Sequence, residues 1–421
     1  MRTPASLALY AAAMSAISPL APLLLKARAG RGKEDPARLG ERLGHAGQPR
    51  PEGRLIWLHG ASVGEGLSLL PLVGRFAELA PDATLLVTSG TRTSALVLGE
   101  RLPKGAIHQY VPLDTPAAAR RFTLHWRPDL AVFVESELWP NLIAAAKGSG
   151  ARLALVSARM SEQSLRGWWR APKAAAATLA AFDLILAKDD TACARFEILG
   201  GKVDGLWDAK LGAPPLPVDG AALAGLTNAV AGRAVLLAAS THPGEEAIVL
   251  EAFSRAAAAD RPDALLVIAP RHPERGAEVE ALARSAGFAT ERRSSGGDPA
   301  SARVYIADTL GELGLFFRMA SFAFVGGSLD PTIGGHNPLE PARLGCATAA
   351  GPFTKDWPVY EAFRGVHAVR TVTGAGDLAT VFAEALAGGL SDLAARAQAL
   401  AVQLDAANAE VAPRLLALIA P

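Results

Sequence analysis

The amino-acid sequence predicts two Rossmann-like α/β domains that follow an apolar N-terminal segment. Its 421 residues correspond to two or three domains at about 150 residues per domain. Half of the residues are hydrophobic and 20% are charged, with a mean hydropathy of +0.21, so the chain is too apolar for intrinsic disorder. Short apolar runs alternate with longer amphipathic ones, a pattern typical of parallel sheets covered by helices on both faces.

Charge and cysteine content exclude several classes of protein. The 42 basic and 41 acidic residues nearly cancel, which disfavours a nucleic-acid partner because phosphate backbones are bound by broad positive surfaces. Cys193 and Cys346 lie far apart in the sequence and lack metal-ligand spacing, so we expect neither a disulfide framework nor a zinc site. A reducing cytoplasm fits this composition best.

Residues 1–33 are predicted to be a membrane anchor. No charge occurs between Arg2 and Lys26, and this stretch is long enough to span a bilayer. Pro19 and Pro22 interrupt it, so a short interfacial or re-entrant anchor is an alternative to a straight helix. Four basic residues follow the apolar stretch: Lys26, Arg28, Arg31 and Lys33. Such residues stay cytoplasmic, which predicts the cytoplasmic face of the inner membrane. They also oppose the other interpretation, a cleaved signal peptide.

The first α/β domain is predicted over residues 34–212. Five apolar runs are interpreted as buried strands: Leu55–Leu58, Thr84–Thr88, Leu130–Val134, Leu153–Val156 and Leu184–Ala187. The spacing of Leu69, Leu72, Val73, Phe76 and Leu79 after the first run predicts an amphipathic helix.

The second α/β domain is predicted over residues 213–421, after a proline-rich linker at Leu211–Pro217. Its strands are predicted at Ala234–Ala239, Leu265–Ala269, Val304–Ile306 and Phe322–Val325, and Arg292–Ser301 is predicted to be an exposed loop. Because ligands bind beyond the carboxyl ends of parallel strands, we expect a site in a central cleft faced by both domains.

Two acidic motifs follow strands of the first domain. In Trp57-Leu-His-Gly-Ala-Ser-Val-Gly-Glu65, the helix N-terminus favours ionised Glu65, which could accept a proton from a sugar hydroxyl. The alternative is an ordinary first-turn acid after a glycine-tight turn. In Val134-Glu-Ser-Glu-Leu-Trp-Pro-Asn141, Glu135 and Glu137 are candidates for substrate binding, or Ser136 or Glu137 caps a helix that Pro140 helps to begin.

Two motifs of the second domain follow its first two strands. Ser240 and Thr241 precede Glu245 and Glu246; the two hydroxyl residues are good helix N-caps, and the two acids make phosphate binding there less favourable. Arg271 follows the next strand and could neutralise a leaving phosphate, although such an arginine is usually a surface residue.

The most distinctive motif contains two glycine pairs. Phe324-Val-Gly-Gly-Ser-Leu329 is followed by Gly334-Gly-His-Asn-Pro-Leu-Glu-Pro341. It predicts a bare backbone pocket beside Glu340, a carboxylate that could accept from two ribose hydroxyls. A structural double-glycine turn is the alternative. No motif has metal-ligand spacing, so no metal and no cofactor are expected.

Taken in order, these motifs resemble the bacterial 3-deoxy-D-manno-octulosonic acid (Kdo) transferases of lipid A synthesis, which are GT-B glycosyltransferases. The resemblance also includes Ser157-Ala-Arg-Met160 and Pro270-Arg-His-Pro-Glu274 and covers nearly the whole chain. It implies a metal-independent, inverting transfer of Kdo from CMP-Kdo to the lipid A precursor lipid IVA, at a membrane surface and without nucleic acid.

The resemblance also implies roles for individual residues. Glu65 is the expected catalytic base, and Ser62, Glu135 and Glu137 are expected on the acceptor side, in an acceptor-binding first domain. The second domain is expected to bind the CMP-sugar. The expected donor-binding residues are Lys210, Ser240, Arg271, Gly326, Gly327, Asn337 and Glu340.

The sequence departs from the family pattern at two places. Gly205-Leu-Trp-Asp-Ala-Lys-Leu211 replaces the usual Gly-Asn-x-Lys followed by an aromatic residue and Asp, which puts the role of Lys210 in doubt, and Thr88–Ser94 receives no role. Two other functions remain alternatives at this point. One is a related GT-B transferase or epimerase that uses a UDP-sugar, and the other is a non-catalytic, membrane-tethered protein with a nucleotide-binding fold.

Overall fold

The computed structural model describes residues 3–212, 215–257, 261 and 263–420. These described residues form two compact units, one within residues 1–213 and 406–421 and the other within residues 214–405. Part of the predicted linker, residues 213 and 214, lies outside the described residues. Each unit is an α/β domain built on a seven-stranded sheet.

The sheet of the first unit is parallel throughout, with strand order β3-β2-β1-β4-β5-β6-β7. Its strands are β1 Leu55–His59, β2 Thr84–Ser89, β3 Ile107–Tyr110, β4 Leu130–Val134, β5 Arg152–Ala158, β6 Leu184–Ala187 and β7 Gly205–Leu206. The five predicted strands are confirmed to within two residues. The edge strands β3 and β7 were not predicted.

Helices cover both faces of this sheet. The helices of this part of the chain are α1 Ala5–Ile17, α2 Ala21–Ala29, α3 Leu39–Arg42, α4 Val63–Leu79, α5 Arg92–Arg101, α6 Pro116–Trp126, α7 Pro140–Gly148, α8 Glu162–Trp169, α9 Pro172–Leu179 and α10 Asp190–Ile198. Alternate residues of β1 point to opposite faces, so Leu55 and Trp57 pack into one core while Ile56 and Leu58 pack into another. This two-sided burial explains why the strands are apolar throughout.

The N-terminal helices α1 and α2 are joined by a 3-10 turn at Ser18–Leu20, where the prolines were expected to interrupt the helix. Together they are long and apolar enough to cross a membrane, by length and composition. The segment is also attached to the first unit, because the Tyr10 hydroxyl donates to Asp114 Oδ2 (2.9 Å) and Leu25 is buried. Moreover, Arg28 forms a 2.8 Å ion pair with the buried carboxylate of Glu34.

These contacts predict that residues 1–33 cannot all be removed without loss of stability. We expect Leu25→Ala to lower the unfolding free energy of the first unit by about 2–5 kcal/mol, the usual cost of truncating a buried leucine. Leu24, its neighbour in the sequence, is 57% exposed, so Leu24→Ala should stay within about 0.5 kcal/mol. Thermal unfolding in detergent solution measures both. Equal stability of the two variants would show that the segment is independent of the unit.

The sheet of the second unit is also parallel, with strand order β10-β11-β9-β8-β12-β13-β14. Its strands are β8 Val235–Thr241, β9 Leu265–Pro270, β10 Thr290–Arg292, β11 Val304–Ile306, β12 Phe322–Val325, β13 Ala347–Ala350 and β14 Arg370–Thr371. The four predicted strands are confirmed to within two residues, and β10, β13 and β14 were not predicted. The predicted loop after β10 contains one 3-10 turn, Arg293–Ser295.

The helices of this unit again form two cores, one on each face of the sheet. They are α11 Gly220–Ala229, α12 Glu245–Ala257, α13 Gly276–Ser285, α14 Leu313–Met319, α15 Leu339–Arg343, α16 Tyr360–Gly365 and α17 Ala375–Leu386. The long helix α18, Ser391–Ala409, begins in this unit and ends in the first.

The end of the chain differs from the expectation that residues 213–421 form one domain. The last helix, α19 Val411–Leu416, belongs to the first unit, because Val411, Ala412 and Leu415 pack into the core that also contains Leu58. Arg414 additionally donates to the carbonyl oxygen of Asp204 (3.0 Å). The apolar face of this helix was visible in the sequence, but its packing partner was not.

Candidate functional site

The carboxyl ends of β1, β2, β4 and β5 lie at one edge of the first sheet, because neighbouring strands are parallel. Glu65 lies there in the first turn of α4, as predicted. Ser62 is the N-cap, and its Oγ accepts from the N–H of Glu65 (3.2 Å). Glu65 Oε2 in turn accepts from the N–H groups of Ala61 (2.6 Å) and Ser62 (3.3 Å). This reciprocal capping box holds the carboxylate in one place.

The electrostatic surroundings raise the proton affinity of Glu65. Burial raises the pKa of its carboxyl, and the charge of Glu137 raises it further, although the N–H groups of Ala61 and Ser62 oppose the shift. Burial and Glu137 therefore act against the helix N-terminus, which favours the ionised form. A carboxylate with a raised pKa is a stronger base than an ordinary glutamate, which suits it to accept a proton.

Glu135 and Glu137 follow β4 with different environments. Glu135 is half-buried and adopts a positive φ of 58°, whereas Glu137 is buried and accepts from His59 Nε2 (3.1 Å) and from Trp139 Nε1. Burial would raise the pKa of Glu137, but the hydrogen bonds from His59 and Trp139 outweigh it, so that the pKa is lowered. His59 was not among the predicted site residues, although a histidine that ends an apolar strand could have indicated it.

The alternative that Ser136 or Glu137 caps the next helix is wrong. Helix α7 begins at Pro140, as expected, but its N-cap residue is Trp139 and no side chain of that residue caps it. The first N–H groups of α7 are instead bonded to the Asp114 carboxylate, with the N–H of Leu142 donating to Oδ1 (2.8 Å). The Glu137 carboxylate is therefore free of a capping role.

The second unit contains a cavity of about 390 Å³ at the carboxyl ends of its central strands. This volume lies in the range of small-molecule sites. Four predicted donor-binding residues line the cavity: Ser240, Arg271, Asn337 and Glu340. Leu313 and Phe316 form part of an apolar wall.

Arg271 and Glu340 supply opposite charges to this cavity. The Arg271 side chain is exposed, and its guanidinium makes no hydrogen bond or ion pair with any residue that the structure describes. Glu340 lies in the first turn of α15, as predicted. Burial raises the pKa of its carboxyl, opposed by the hydrogen bond from Asn337 and by the charges of Arg343 and Arg271. An unpaired guanidinium beside a carboxylate can bind an anion and hydroxyl groups together.

Gly326 and Gly327, which were predicted to bind the donor, are not among the residues that line this cavity. The N–H of Gly326 donates to the Ala239 carbonyl (2.8 Å), and the N–H of Gly327 donates to Glu245 Oε2 (2.7 Å). A Cβ atom on Gly326 would lie 2.6 Å from the Ser240 carbonyl oxygen. The structure therefore gives this glycine pair a packing reason, which is the structural turn left as the alternative.

Ser240 and Thr241 were also expected to be helix N-caps, and this is wrong. Thr241 is the last residue of β8 and Ser240 has a positive φ of 56°, whereas α12 begins only at Glu245. The Thr241 hydroxyl donates to Glu246 Oε1 (3.0 Å) instead. Ser240 remains at the cavity wall.

Lys210 lies in a 3-10 turn, Ala209–Gly212, of the first unit. The other predicted donor-binding residues belong to the second unit. Lys210 and the other predicted donor-binding residues therefore belong to different units.

Two histidines of the second unit form a pair that sequence reasoning missed. His242 Nε2 lies 2.9 Å from His336 Nε2, and the rings stack with centroids 5.1 Å apart. Burial lowers the pKa of both, that of His336 to about 4, and neighbouring Arg271 contributes. His336 also lines the cavity. The Gly-Gly-His-Asn motif could have indicated it.

The chain is similar to known glycosyltransferases. A family model described as 3-deoxy-D-manno-octulosonic-acid transferase matches residues 37–210. A probable mitochondrial 3-deoxy-D-manno-octulosonic acid transferase from Arabidopsis thaliana is 36% identical over 82% of this chain and 79% of its own length. The 3-deoxy-D-manno-octulosonic acid transferase of Bordetella pertussis is 36% identical over 82% of this chain and 83% of its own length.

A solved structure supports the fold independently. A glycosyltransferase from Rickettsia africae superposes with a TM-score of 0.58 over 87% of this chain and 99% of its own, at 12% identity. This likeness confirms the predicted GT-B class of two parallel-sheet domains. The named relatives do not favour the UDP-sugar alternative. The chain therefore belongs to the 3-deoxy-D-manno-octulosonic acid transferase family and is a glycosyltransferase of the Kdo-transferring type.

Proposed function

We propose that the chain transfers Kdo from CMP-Kdo to the lipid A precursor lipid IVA, with inversion and without a metal. Membership of the Kdo transferase family supports the transferred sugar. The observation that carries the donor is the cavity of the second unit, where unpaired Arg271 and the carboxylate of Glu340 line one space. A nucleoside monophosphate offers the matching groups, an anion and a pair of ribose hydroxyls.

The proposal assigns binding roles to the charged and apolar residues of the cavity described above. Arg271 binds the phosphate of CMP and stabilises the charge that develops as CMP departs. Glu340, oriented by Asn337, accepts from the ribose hydroxyls. Leu313 and Phe316 supply an apolar surface for the planar base.

Glu65 acts as the general base on the acceptor. A hydroxyl oxygen of the lipid acceptor attacks the anomeric carbon of Kdo, and its proton passes to Glu65. The new carbon–oxygen bond forms as the bond to the CMP phosphate breaks, and CMP leaves with that electron pair. The raised pKa of Glu65 supports this role.

We also propose that the N-terminal helices place the enzyme at the cytoplasmic face of the inner membrane. Leu9, Leu20 and Leu23 are exposed on them, and Lys26, Arg31 and Lys33 follow. Each basic residue near an anionic bilayer adds about 1 kcal/mol of attraction. A tether there raises the encounter rate with a lipid acceptor.

A transfer assay tests the proposed function. Purified full-length protein is incubated with CMP-Kdo and lipid IVA in phospholipid vesicles, and the masses of the lipid products are measured by mass spectrometry. We expect lipid carrying added Kdo and an equal amount of CMP. Lipid of unchanged mass, or equal transfer from a UDP-sugar, would contradict the proposal.

Glu340→Ala is predicted to weaken CMP binding. The ribose hydroxyls would lose a charged acceptor worth about 1.5–3 kcal/mol, a decrease in affinity of roughly tenfold to a hundredfold. Titration calorimetry with CMP measures it. Glu361→Ala is the control, because Glu361 is exposed and pairs with Arg364 one turn along α16. Equal CMP affinity of wild type and Glu340→Ala would make Glu340 a structural residue.

A further inference from the structure

A chain of buried hydrogen bonds runs beneath the edge of the first sheet at which Glu65 lies. Trp57 and His59 lie two residues apart on β1, so their side chains share one face, and His59 pairs with Thr88 of β2. Trp57 Nε1 donates to Thr88 Oγ1 (2.8 Å). The same oxygen lies 2.9 Å from His59 Nδ1. All three side chains are fully buried.

The direction of these hydrogen bonds follows from the donors available. An indole nitrogen only donates, so Thr88 Oγ1 accepts from Trp57. Among the described residues, His59 Nδ1 is the one remaining group within hydrogen-bond distance of that hydroxyl. A buried hydroxyl proton needs an acceptor, so Thr88 donates to Nδ1. The proton of a neutral His59 therefore lies on Nε2.

The chain ends on Glu137. His59 Nε2 donates to Glu137 Oε2 (3.1 Å), and Trp139 Nε1 donates to the same oxygen. The rings of Trp57 and Phe133 surround His59, so Glu137 is the charged group that the described residues place against it. Burial raises the pKa of Glu65 most, and Glu137 is the charged group that raises it further.

Close packing brings the two carboxylate-bearing segments together. Gly60 separates His59 from the loop that leads to α4, and a Cβ atom there would lie 3.0 Å from Glu65 Cβ and 3.1 Å from Val134 Cγ1. The start of α4 therefore packs against the end of β4, from which Glu137 follows. Hydrogen bonds from His59 and Trp139 hold the Glu137 carboxylate. Its charge raises the pKa of Glu65.

We propose that Thr88 and His59 are positioning residues for the transfer reaction, which hold the negative charge of Glu137 beside Glu65 so that Glu65 takes the acceptor proton more readily. This inference rests on the proposed function, in which Glu65 is the base. It gives Glu137 an electrostatic role in place of the acceptor contact expected from the family resemblance. Neither Thr88 nor His59 needs to touch substrate.

Nuclear magnetic resonance of the full-length protein with ¹⁵N-labelled histidine tests the chain without activity. The His59 signals are assigned by their loss in His59→Gln. We expect a neutral ring with its proton on Nε2 in the wild type, and a mixture of tautomers in Thr88→Val. A wild-type ring protonated on Nδ1, or on both nitrogens at pH 7.5, would overturn the proposed direction.

The pH dependence of kcat tests the effect on Glu65. Because the base works when ionised, activity falls as pH falls through the pKa of Glu65, and loss of the Glu137 charge should lower that pKa. We therefore expect Glu137→Gln to move the acidic limb of the profile to lower pH by about 0.5–1 unit. Thr88→Val should move it in the same direction and lower kcat about tenfold with little change in KM.

Two further variants separate positioning from stability. Thr88→Ser keeps the hydroxyl, so the acidic limb of the pH profile and kcat should both stay at their wild-type values. Thr123→Val removes a buried hydroxyl whose partners among the described residues are carbonyl oxygens of its own helix α6, and it should lower stability without moving the acidic limb of the pH profile. An unmoved limb in Thr88→Val would overturn the inference. Absence of any wild-type transfer would instead contradict the proposed function, and the histidine spectra would still decide the geometry of the chain.

Discussion

Glu65→Gln is expected to lower turnover by about 10²–10⁴-fold, the usual cost of removing a general base. The amide oxygen can still accept from the N–H groups of Ala61 and Ser62, which hold the carboxylate in the capping box. The fold and the affinity for CMP should therefore stay as in the wild type. Turnover on lipid IVA, thermal unfolding and CMP calorimetry on the same preparation measure the three quantities.

The control for this variant is a helix cap that carries no carboxylate. Thr91 caps α5, where its Oγ1 accepts from the N–H of Ser94 (3.1 Å). Thr91→Ala should cost about 0.5–2 kcal/mol of stability and leave turnover within a few-fold of the wild type. If Glu65→Gln behaves in the same way, its carboxylate is a cap and the base must be sought elsewhere.

Glu65 could be singled out from sequence because its position follows from local rules. An apolar strand, a small-residue turn and an amphipathic helix predict a carboxylate at the edge of a sheet, and the structure has it there. The pKa of that carboxylate could not be predicted in the same way. It depends on burial first and then on the charge of Glu137, which follows a turn with positive φ at Glu135.

The fold likewise has parts that local sequence rules predict and parts that they do not. The central strands were predicted because burial on both faces requires continuous apolar residues. The edge strand β3 has the sequence Ile-His-Gln-Tyr, and β13 is Ala-Thr-Ala-Ala, so neither carries the strong signal of β-branched and large apolar residues. The attachment of α19 to the first unit was also hidden, because an apolar helix face does not specify its partner.

The buried polar contacts of the second unit were the least visible in the sequence. Glu245 was interpreted as an acid that disfavours phosphate at a helix N-terminus. The structure shows instead that it is 3% exposed and accepts from three successive backbone N–H groups, those of Gly327 (2.7 Å), Ser328 (3.1 Å) and Leu329 (3.2 Å). More than eighty residues separate the carboxylate from these donors, so no local pattern reports the contact.

Glu245→Ala is consequently expected to be the most destabilising substitution considered for the second unit. The N–H of His242 also donates to this carboxylate (3.0 Å), so four N–H groups at buried or part-buried positions would lose their acceptor. Each buried loss costs about 1–3 kcal/mol, and allowing for partial relaxation we expect a total of about 4 kcal/mol or more. For a unit of this size, that lowers Tm by roughly 8–16 °C.

Removal of the Glu245 carboxylate should also affect the cavity. The turn that this carboxylate holds leads to His336 and Asn337, and both residues line the cavity. We expect CMP binding to weaken in Glu245→Ala even at temperatures where the variant is folded. Glu245→Gln should lie between alanine and the wild type, since an amide has one oxygen to accept with. Glu251→Ala is the matched control, because Glu251 lies on the same helix, is exposed and, in the described part of the chain, pairs with Arg255 one turn away. Calorimetric unfolding and CMP titration of the three variants measure the effect, and a Glu245→Ala protein as stable as Glu251→Ala would show that the turn does not depend on this carboxylate.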